Sequence, residues 1–320
     1  MPAEKAKRPS FTEELAEFWG NLPDKGVFFG LLAAWLALFH FLGNSTFGYR
    51  DTPSLISWLL IGYNFPKLDA DDSHGFFIPF IVIGLLWWKK DELMTVPKRA
   101  WWPGLLMIAA MLLLHLFGYL VQQPRVSIAA MFGGVYCLMG LVWGPRWLAA
   151  TFFPMLLLCF CMPVASISEV ITFPLRMLVT KLSVGISNGV LGIDVLREGS
   201  HIFNAKRTFQ YDVAPACSGI RSLITLLALN TIYAFMVFKP WWKRLIVVGL
   251  AFPLAVAGNT LRLIGVILTA EVFGHDAGAK VEQNLGFLTF LVAIAGLLAA
   301  GYILRDRVAP KPVQLEPKPA

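Results

Sequence analysis

The side chains best suited to acyl-transfer chemistry lie in the second half of the chain, at Cys217, Arg262, His275 and Glu282. The stretch Ala214-Pro215-Ala216-Cys217-Ser218-Gly219-Ile220-Arg221-Ser222 opens an apolar run from Leu223 to Phe238. A thiol placed where an irregular segment becomes a membrane helix sits beside unpaired backbone N–H groups and the positive end of the helix dipole. Arg221 follows four residues later, one turn along the same face, with Ser218 beside the thiol. Both features favour thiolate, the form that attacks a carbonyl, so Cys217 reads as a nucleophile. The competing reading is a small apolar residue at a helix start. Arg262 interrupts an otherwise apolar helix, at a cost of about 2.5 to 3.5 kcal/mol on insertion scales, so it is expected to face the bundle interior with a partner or a task. The alternative is snorkelling to the headgroups. A guanidinium stays protonated near neutral pH, which excludes general-base work. It leaves three roles: holding a thiolate, clamping a substrate carbonyl or carboxylate, and stabilising an oxyanion. Asn259, one turn away, is placed to orient Arg262 or to donate to the same oxyanion.

These groups can meet only if helices carry them to one depth. The chain of 320 residues is 57% hydrophobic and 15% charged, with a mean hydropathy of +0.65. That much apolar surface cannot be covered in one water-soluble core, and the reading is an all-α, polytopic transmembrane helix bundle of about eight spans. Spans are expected at about 27–43, 75–88, 101–121, 127–143, 147–164, 219–238, from 245 onward, and 286–304. Residues 1–26 read as a cytoplasmic segment with an amphipathic patch from Phe11 to Trp19. Residues 27–305 form the transmembrane domain, with its catalytic part at 195–290, and 306–320 read as a disordered cytoplasmic tail. The piece at 55–65 is too short to cross and is expected to be interfacial or re-entrant. Between 165 and 213 the pattern suits an outer amphipathic helix, because Arg176, Lys181 and Asn188 interrupt apolar residues. After it, Val195 to Ile202 and Thr208 to Val213 alternate weakly, predicting a hairpin around Asn204-Ala205-Lys206.

Orientation follows from the cations. Lys89, Lys90, Lys98, Arg99, Lys243 and Arg244 fall in short loops on one predicted side, which the positive-inside rule makes cytoplasmic. The pairs Trp87-Trp88, Trp101-Trp102 and Trp241-Trp242 sit at that same boundary, as an aromatic belt would. The net charge of +7 is explained by these loops, so nucleic acid is not an expected partner. No cleavable signal peptide is expected, because the polar N-terminus leads into a span that serves as its own insertion signal. Cys217 stands 22 residues before Lys239, about 33 Å of helix; Arg262 stands 18 residues after Arg244, about 27 Å; Glu282 stands 23 residues before Arg305, about 35 Å. Against a hydrocarbon core of about 30 Å, all three reach the outer leaflet or its rim. Cys137, Cys159 and Cys161 lie in apolar runs and read as packing residues. No cofactor and no metal site is expected, since ligand spacing and a phosphate-binding glycine loop are both missing.

Ala216-Cys217-Ser218-Gly219-Ile220-Arg221, followed by Asn259-Thr260-Leu261-Arg262 and a polar segment before a last helix opening on Gly286-Phe287, resembles the exosortase/archaeosortase family of multi-pass membrane transpeptidases. The resemblance covers roughly 75–305 and is specific across 195–290. It implies a Cys nucleophile at Cys217 that forms an acyl-thioester, and an essential Arg at Arg262. It also implies exported protein substrates with a C-terminal sorting signal, such as Pro-Glu-Pro followed by a membrane helix and a basic tail. The implied place is the cell inner (plasma) membrane with the active site on the periplasmic side. Family members usually carry a His four residues before the glycine of the last helix, or an Arg in the archaeal branch; here that position is Glu282. His275, seven residues upstream, would share its face on a continuous helix. His275 is preferred on chemistry, because an imidazole can take a thiol proton and return it to an amine near pH 7. Glu282 is the alternative, and His201 in the expected hairpin a more remote one.

Three other functions compete with a transpeptidase. Water as the acceptor would make the same site a protease. A catalytically impaired relative would only bind sorting signals. A transporter or envelope-polysaccharide assembly protein would show ionisable groups along several spans and an internal repeat, which this sequence lacks.

Overall fold

Helices dominate the computed structural model, which describes residues 10–43, 52–68, 70, 72–164, 169–199, 201–204, 209–212 and 220–305. Cys217, Ser218 and the expected tail at 306–320 lie outside the described residues. The chain divides into two compact units, 1–169 and 170–320.

In the first unit, α1 (Phe11–Asn21) opens on a capping box, with the Ser10 side chain on the Glu13 N–H and the Glu13 carboxylate on the Ser10 N–H. It meets α2 (Lys25–Phe41) at 89°, the angle expected where a surface helix turns into a span. The short α3 (Leu55–Gly62) is followed by α4 (Ile78–Trp88) and α5 (Lys90–Thr95). Then α6 (Pro103–Leu120), α7 (Pro124–Trp143) and α8 (Pro145–Leu156) each begin on a proline, where the missing N–H costs nothing and the fixed φ favours the first turn. Trp35 of α2 lies flat on α7. Its Nε1 donates to the Met131 carbonyl at 2.9 Å, and a Cβ at Gly134 would fall 1.9 Å from its ring.

The second unit holds α9 (Glu169–Gly189), a three-stranded antiparallel sheet of β1 (Val195–Glu198), β2 (His201–Asn204) and β3 (Gln210–Asp212), and then α10 (Ile220–Val237) to α14. The last four helices are α11 (Trp241–Gly249), α12 (Ala251–Phe273), α13 (His275–Asn284) and α14 (Gly286–Leu304). Small residues let α10, α12 and α14 approach closely: Ala251, Ala255 and Ala293 are buried together, and a Cβ at Gly258 would meet the Thr289 carbonyl at 2.9 Å.

One sequence expectation changes here. The segment read as one strand from Val195 to Ile202 holds a turn, since Glu198 pairs with His201 across a two-residue connection and Gly199 takes φ +61°. A glycine adopts that left-handed conformation without a Cβ penalty, so an additional hairpin closes there, while the expected hairpin is present between β2 and β3, which pair antiparallel with His201 opposite Asp212 and Phe203 opposite Gln210. In α9 the charged Lys181 and the amide Asn188 are exposed, as the amphipathic reading expects. Thr180, Ser183 and Ser187 are buried, whereas Phe173, Leu178, Leu182 and Ile186 are exposed, as suits a helix whose surroundings are apolar.

The described helices make this an all-α membrane protein with a small sheet. Among the described residues three helices are long and apolar enough to cross a membrane, Pro103–Leu120, Pro124–Trp143 and the continuous Trp241–Phe273, or up to four if the bent α1–α2 pair forms one span. Shorter apolar helices lie at Ile78–Trp88, Pro145–Cys161, Leu223–Val237 and Thr289–Leu304.

Candidate active site

One shared core holds α9, the sheet and α12 in register. Leu175, Val179, Val195, Ile202, Phe209 and Tyr211 are buried in the same cluster as Val266 and Ile267 of α12. Asn188 at the end of α9 gives the sheet its starting point: its Nδ2 donates to the Val195 carbonyl and its Oδ1 accepts from the Val195 N–H, both at 2.9 Å. At the end of β2, Asn204 donates to the Glu271 carboxylate at 3.3 Å. The sheet is thereby tied to the distal part of α12.

Arg262 is partly buried on α12, with Asn259 buried one turn before it. Counting from Arg244 puts Arg262 about 27 Å along its helix, at the outer rim. Beyond it α12 runs on from Arg262 to Phe273, about 16 Å further. Glu271 is tolerated as an exposed helical residue, and the helix ends at Gly274, whose φ of +89° breaks it. One residue later α13 begins and folds back along α12. A Cβ at Gly278 would lie 2.9 Å from the Ala270 Cβ and 2.2 Å from the Tyr211 hydroxyl, so only glycine fits this approach.

The return of α13 brings Glu282 to Arg262. The Arg262 Nη2 donates to the Glu282 backbone carbonyl at 2.7 Å. The Arg262 Nε is buried and has no hydrogen-bond partner among the described residues. One corner of the guanidinium is therefore fixed, and another N–H stays free for a carbonyl oxygen or an anion. His275 stands at the opposite end of α13, exposed and about 10 Å from Glu282 along the helix. Since α13 is continuous, the two are seven residues apart on one face, as expected.

Tyr211 covers that end of α13 and was not singled out in the sequence. Its ring stacks on His275 with centroids 4.9 Å apart, and its hydroxyl donates to the His275 carbonyl at 2.7 Å. Burial, then the negative charges of Glu282 and Asp276, push the Tyr211 phenol above its ordinary range. The available signal was a tyrosine six residues before Cys217 together with a lone glycine in the polar helix that faces it. Arg221 is the second residue of α10. Among the described residues no group of His, Cys, Asp and Glu could hold a metal ion.

A family model described as transmembrane exosortase matches residues 66–299, well over half of the 320 residues, and the chain belongs to that family. The match includes α12, α13 and the segment around Cys217. No curated protein and no solved structure matches the chain. Family membership makes this a membrane-embedded protein of sorting-signal processing, in a family that acts on exported proteins bearing C-terminal sorting signals.

Proposed function

We propose that this protein is a membrane cysteine transpeptidase that removes the C-terminal sorting signal of exported proteins through an acyl-thioester at Cys217. The observation that carries the reading is Arg262: a guanidinium inside a membrane helix, anchored through Nη2 and with a buried N–H unspent. Such a group, aimed at a carbonyl, stabilises the negative charge that develops on its oxygen. The Cys217 thiolate adds to the substrate carbonyl, and the oxyanion of the tetrahedral adduct is held by Arg262, with Asn259 supporting it. Collapse breaks the C–N bond, the departing amine takes a proton, and the substrate is left as a thioester. An amine acceptor then adds, loses its proton and releases the thiolate. With water in that place the outcome is hydrolysis.

For the proton role the candidates are His275 and Glu282, seven residues apart on one face of α13. The bundle is read as eight spans in the inner membrane, with the site on the periplasmic side. Arg221 and Ser218 flank the nucleophile in this reading.

The test is co-expression of a sorting-signal substrate with the wild-type chain or with Cys217→Ala. Wild type is expected to shorten the substrate and Cys217→Ala to leave it whole; equal processing by both removes the reading. Product mass separates transfer from hydrolysis. A second reading, a binder without activity, is favoured by the carboxylate at position 282 where the family usually has histidine. It predicts an intact substrate with wild type and co-purification of the two proteins.

A further inference from the structure

At the junction of α7 and α8 in the first unit there is a cavity of about 200 Å³, remote in sequence from Cys217 and Arg262. Its lining combines Lys98, Arg99 and Arg146 with Trp143, Gly144 and a proline on either side. The backbone makes this shape. The extended stretch before α6 hydrogen-bonds to the last carbonyls of α7, with the Arg99 N–H on Trp143 at 3.3 Å and the Trp101 N–H on Leu141 at 2.9 Å. Gly144 turns the chain with φ +93°, and a Cβ there would lie 2.9 Å from the Arg99 carbonyl. Three cations are therefore held around one concavity by close backbone contacts.

None of the three has a carboxylate partner among the described residues. Glu92 pairs with Lys89 at 3.2 Å and Glu14 with Lys90, so these two carboxylates are spent on other cations. Lys98 donates to the Met94 and Val96 carbonyls and lies over the Trp147 ring at 5.3 Å. Its partial burial pushes the ammonium below its ordinary range, a cost that an anion in the cavity would offset. Arg99 and Arg146 are exposed at the cavity, and among the described residues neither guanidinium makes an ion pair.

The location selects the kind of anion. The cavity adjoins the start of α6, a candidate span whose Trp102, Leu105 and Leu106 are exposed. Apolar side chains on the outside of a spanning helix face acyl chains, and a tryptophan at its end marks the headgroup layer. The anions concentrated at that level are lipid phosphates.

We propose that Lys98, Arg99 and Arg146 form a binding site for the phosphate headgroup of an anionic phospholipid. Each basic residue near such a headgroup adds attraction, and the planar guanidinium groups offer paired donors to phosphate oxygens.

The experiment uses the full chain purified in a neutral detergent and titrated with dioctanoyl-phosphatidylglycerol, dioctanoyl-phosphatidylcholine or inorganic phosphate. Wild type is expected to bind the anionic lipid at least about tenfold more tightly than the zwitterionic one. Arg99→Gln with Arg146→Gln should remove about tenfold of that affinity, whereas the charge-matched control Lys239→Gln with Arg305→Gln should keep it. Equal loss in both double variants would mean unspecific charge attraction and would overturn the site. So would retention of binding in the Arg99/Arg146 variant. Competition by inorganic phosphate at the lipid's own concentration would overturn the lipid assignment. If the double variant is not recovered folded, Arg146→Gln against Arg146→Lys decides in the same way: the proposal requires a clearly larger loss in the first, which removes the charge, than in the second, which keeps it, and equal affinity in the two would overturn it.

Discussion

Arg262 and Glu282, twenty residues apart in sequence, are joined by a 2.7 Å hydrogen bond from the guanidinium Nη2 to the backbone carbonyl near the end of α13. The bond holds the arginine's position and uses only part of its donor set. A lysine offers one compact charge on a flexible stem and cannot reproduce both the anchor and the free N–H. Arg262→Lys and Arg262→Gln are therefore each expected to lower substrate processing by about a hundredfold or more. The check is the rate of substrate shortening in membranes, normalised to the amount of folded protein.

Gly278 and Tyr211 form a matched pair. Gly278→Ala sets a methyl 2.2 Å from the Tyr211 hydroxyl, and relief requires moving α13 off α12 or β3 off α13. The expected cost is about 1 to 3 kcal/mol. Tyr211→Phe in the same chain removes the clashing oxygen and should recover part of the loss. Thermal unfolding of both single variants and the double variant measures the coupling; simple additivity would contradict the packing described.

Tyr211 also sets a pH dependence. Its folded pKa is raised, by burial first and then by Glu282 and Asp276, so the neutral phenol is the form that the fold prefers. The stability it contributes is full below the unfolded value of about 10 and is lost as pH rises through the higher folded value. Hydrogen exchange of α13 is thus expected to accelerate at alkaline pH beyond the intrinsic rate increase. Tyr211→Phe should remove that extra acceleration.

Asn188 supports the sheet through two bonds to one residue. Asn188→Ala leaves the N–H and carbonyl of buried Val195 without their partner and should cost about 1 to 2 kcal/mol. Asn188→Asp keeps the acceptor and loses the donor, and is expected to fall between wild type and alanine. Chemical denaturation of the purified chain tests the order.

Much of the helix placement was legible in the sequence because apolar runs mark helices by composition alone. The last helix, Gly286–Leu304, was expected at those residues, and Arg262 stood out because a charge inside an apolar run needs a reason. The extension of α12 beyond Glu271 was not legible, since a polar side chain on an exposed helical face looks the same as one in a loop. Nor was the fold-back of α13 onto Tyr211. That contact depends on a glycine whose purpose appears only when a partner from another element is in place. The turn at Gly199 was written in the sequence, but weak alternation on both sides hid it.

The docking of α1 on the end of α4 bears on the order of biogenesis. Phe11 and Phe18 both rest edge-on against Trp87, and Glu14 pairs with Lys90, 76 positions later. At ribosomal rates of about 5 to 20 residues per second, the first helix waits about 4 to 15 s for its anchorage to emerge. Until then the amphipathic N-terminus has lipid alone to shelter its aromatic side chains, so the leaflet itself acts as a provisional partner during synthesis.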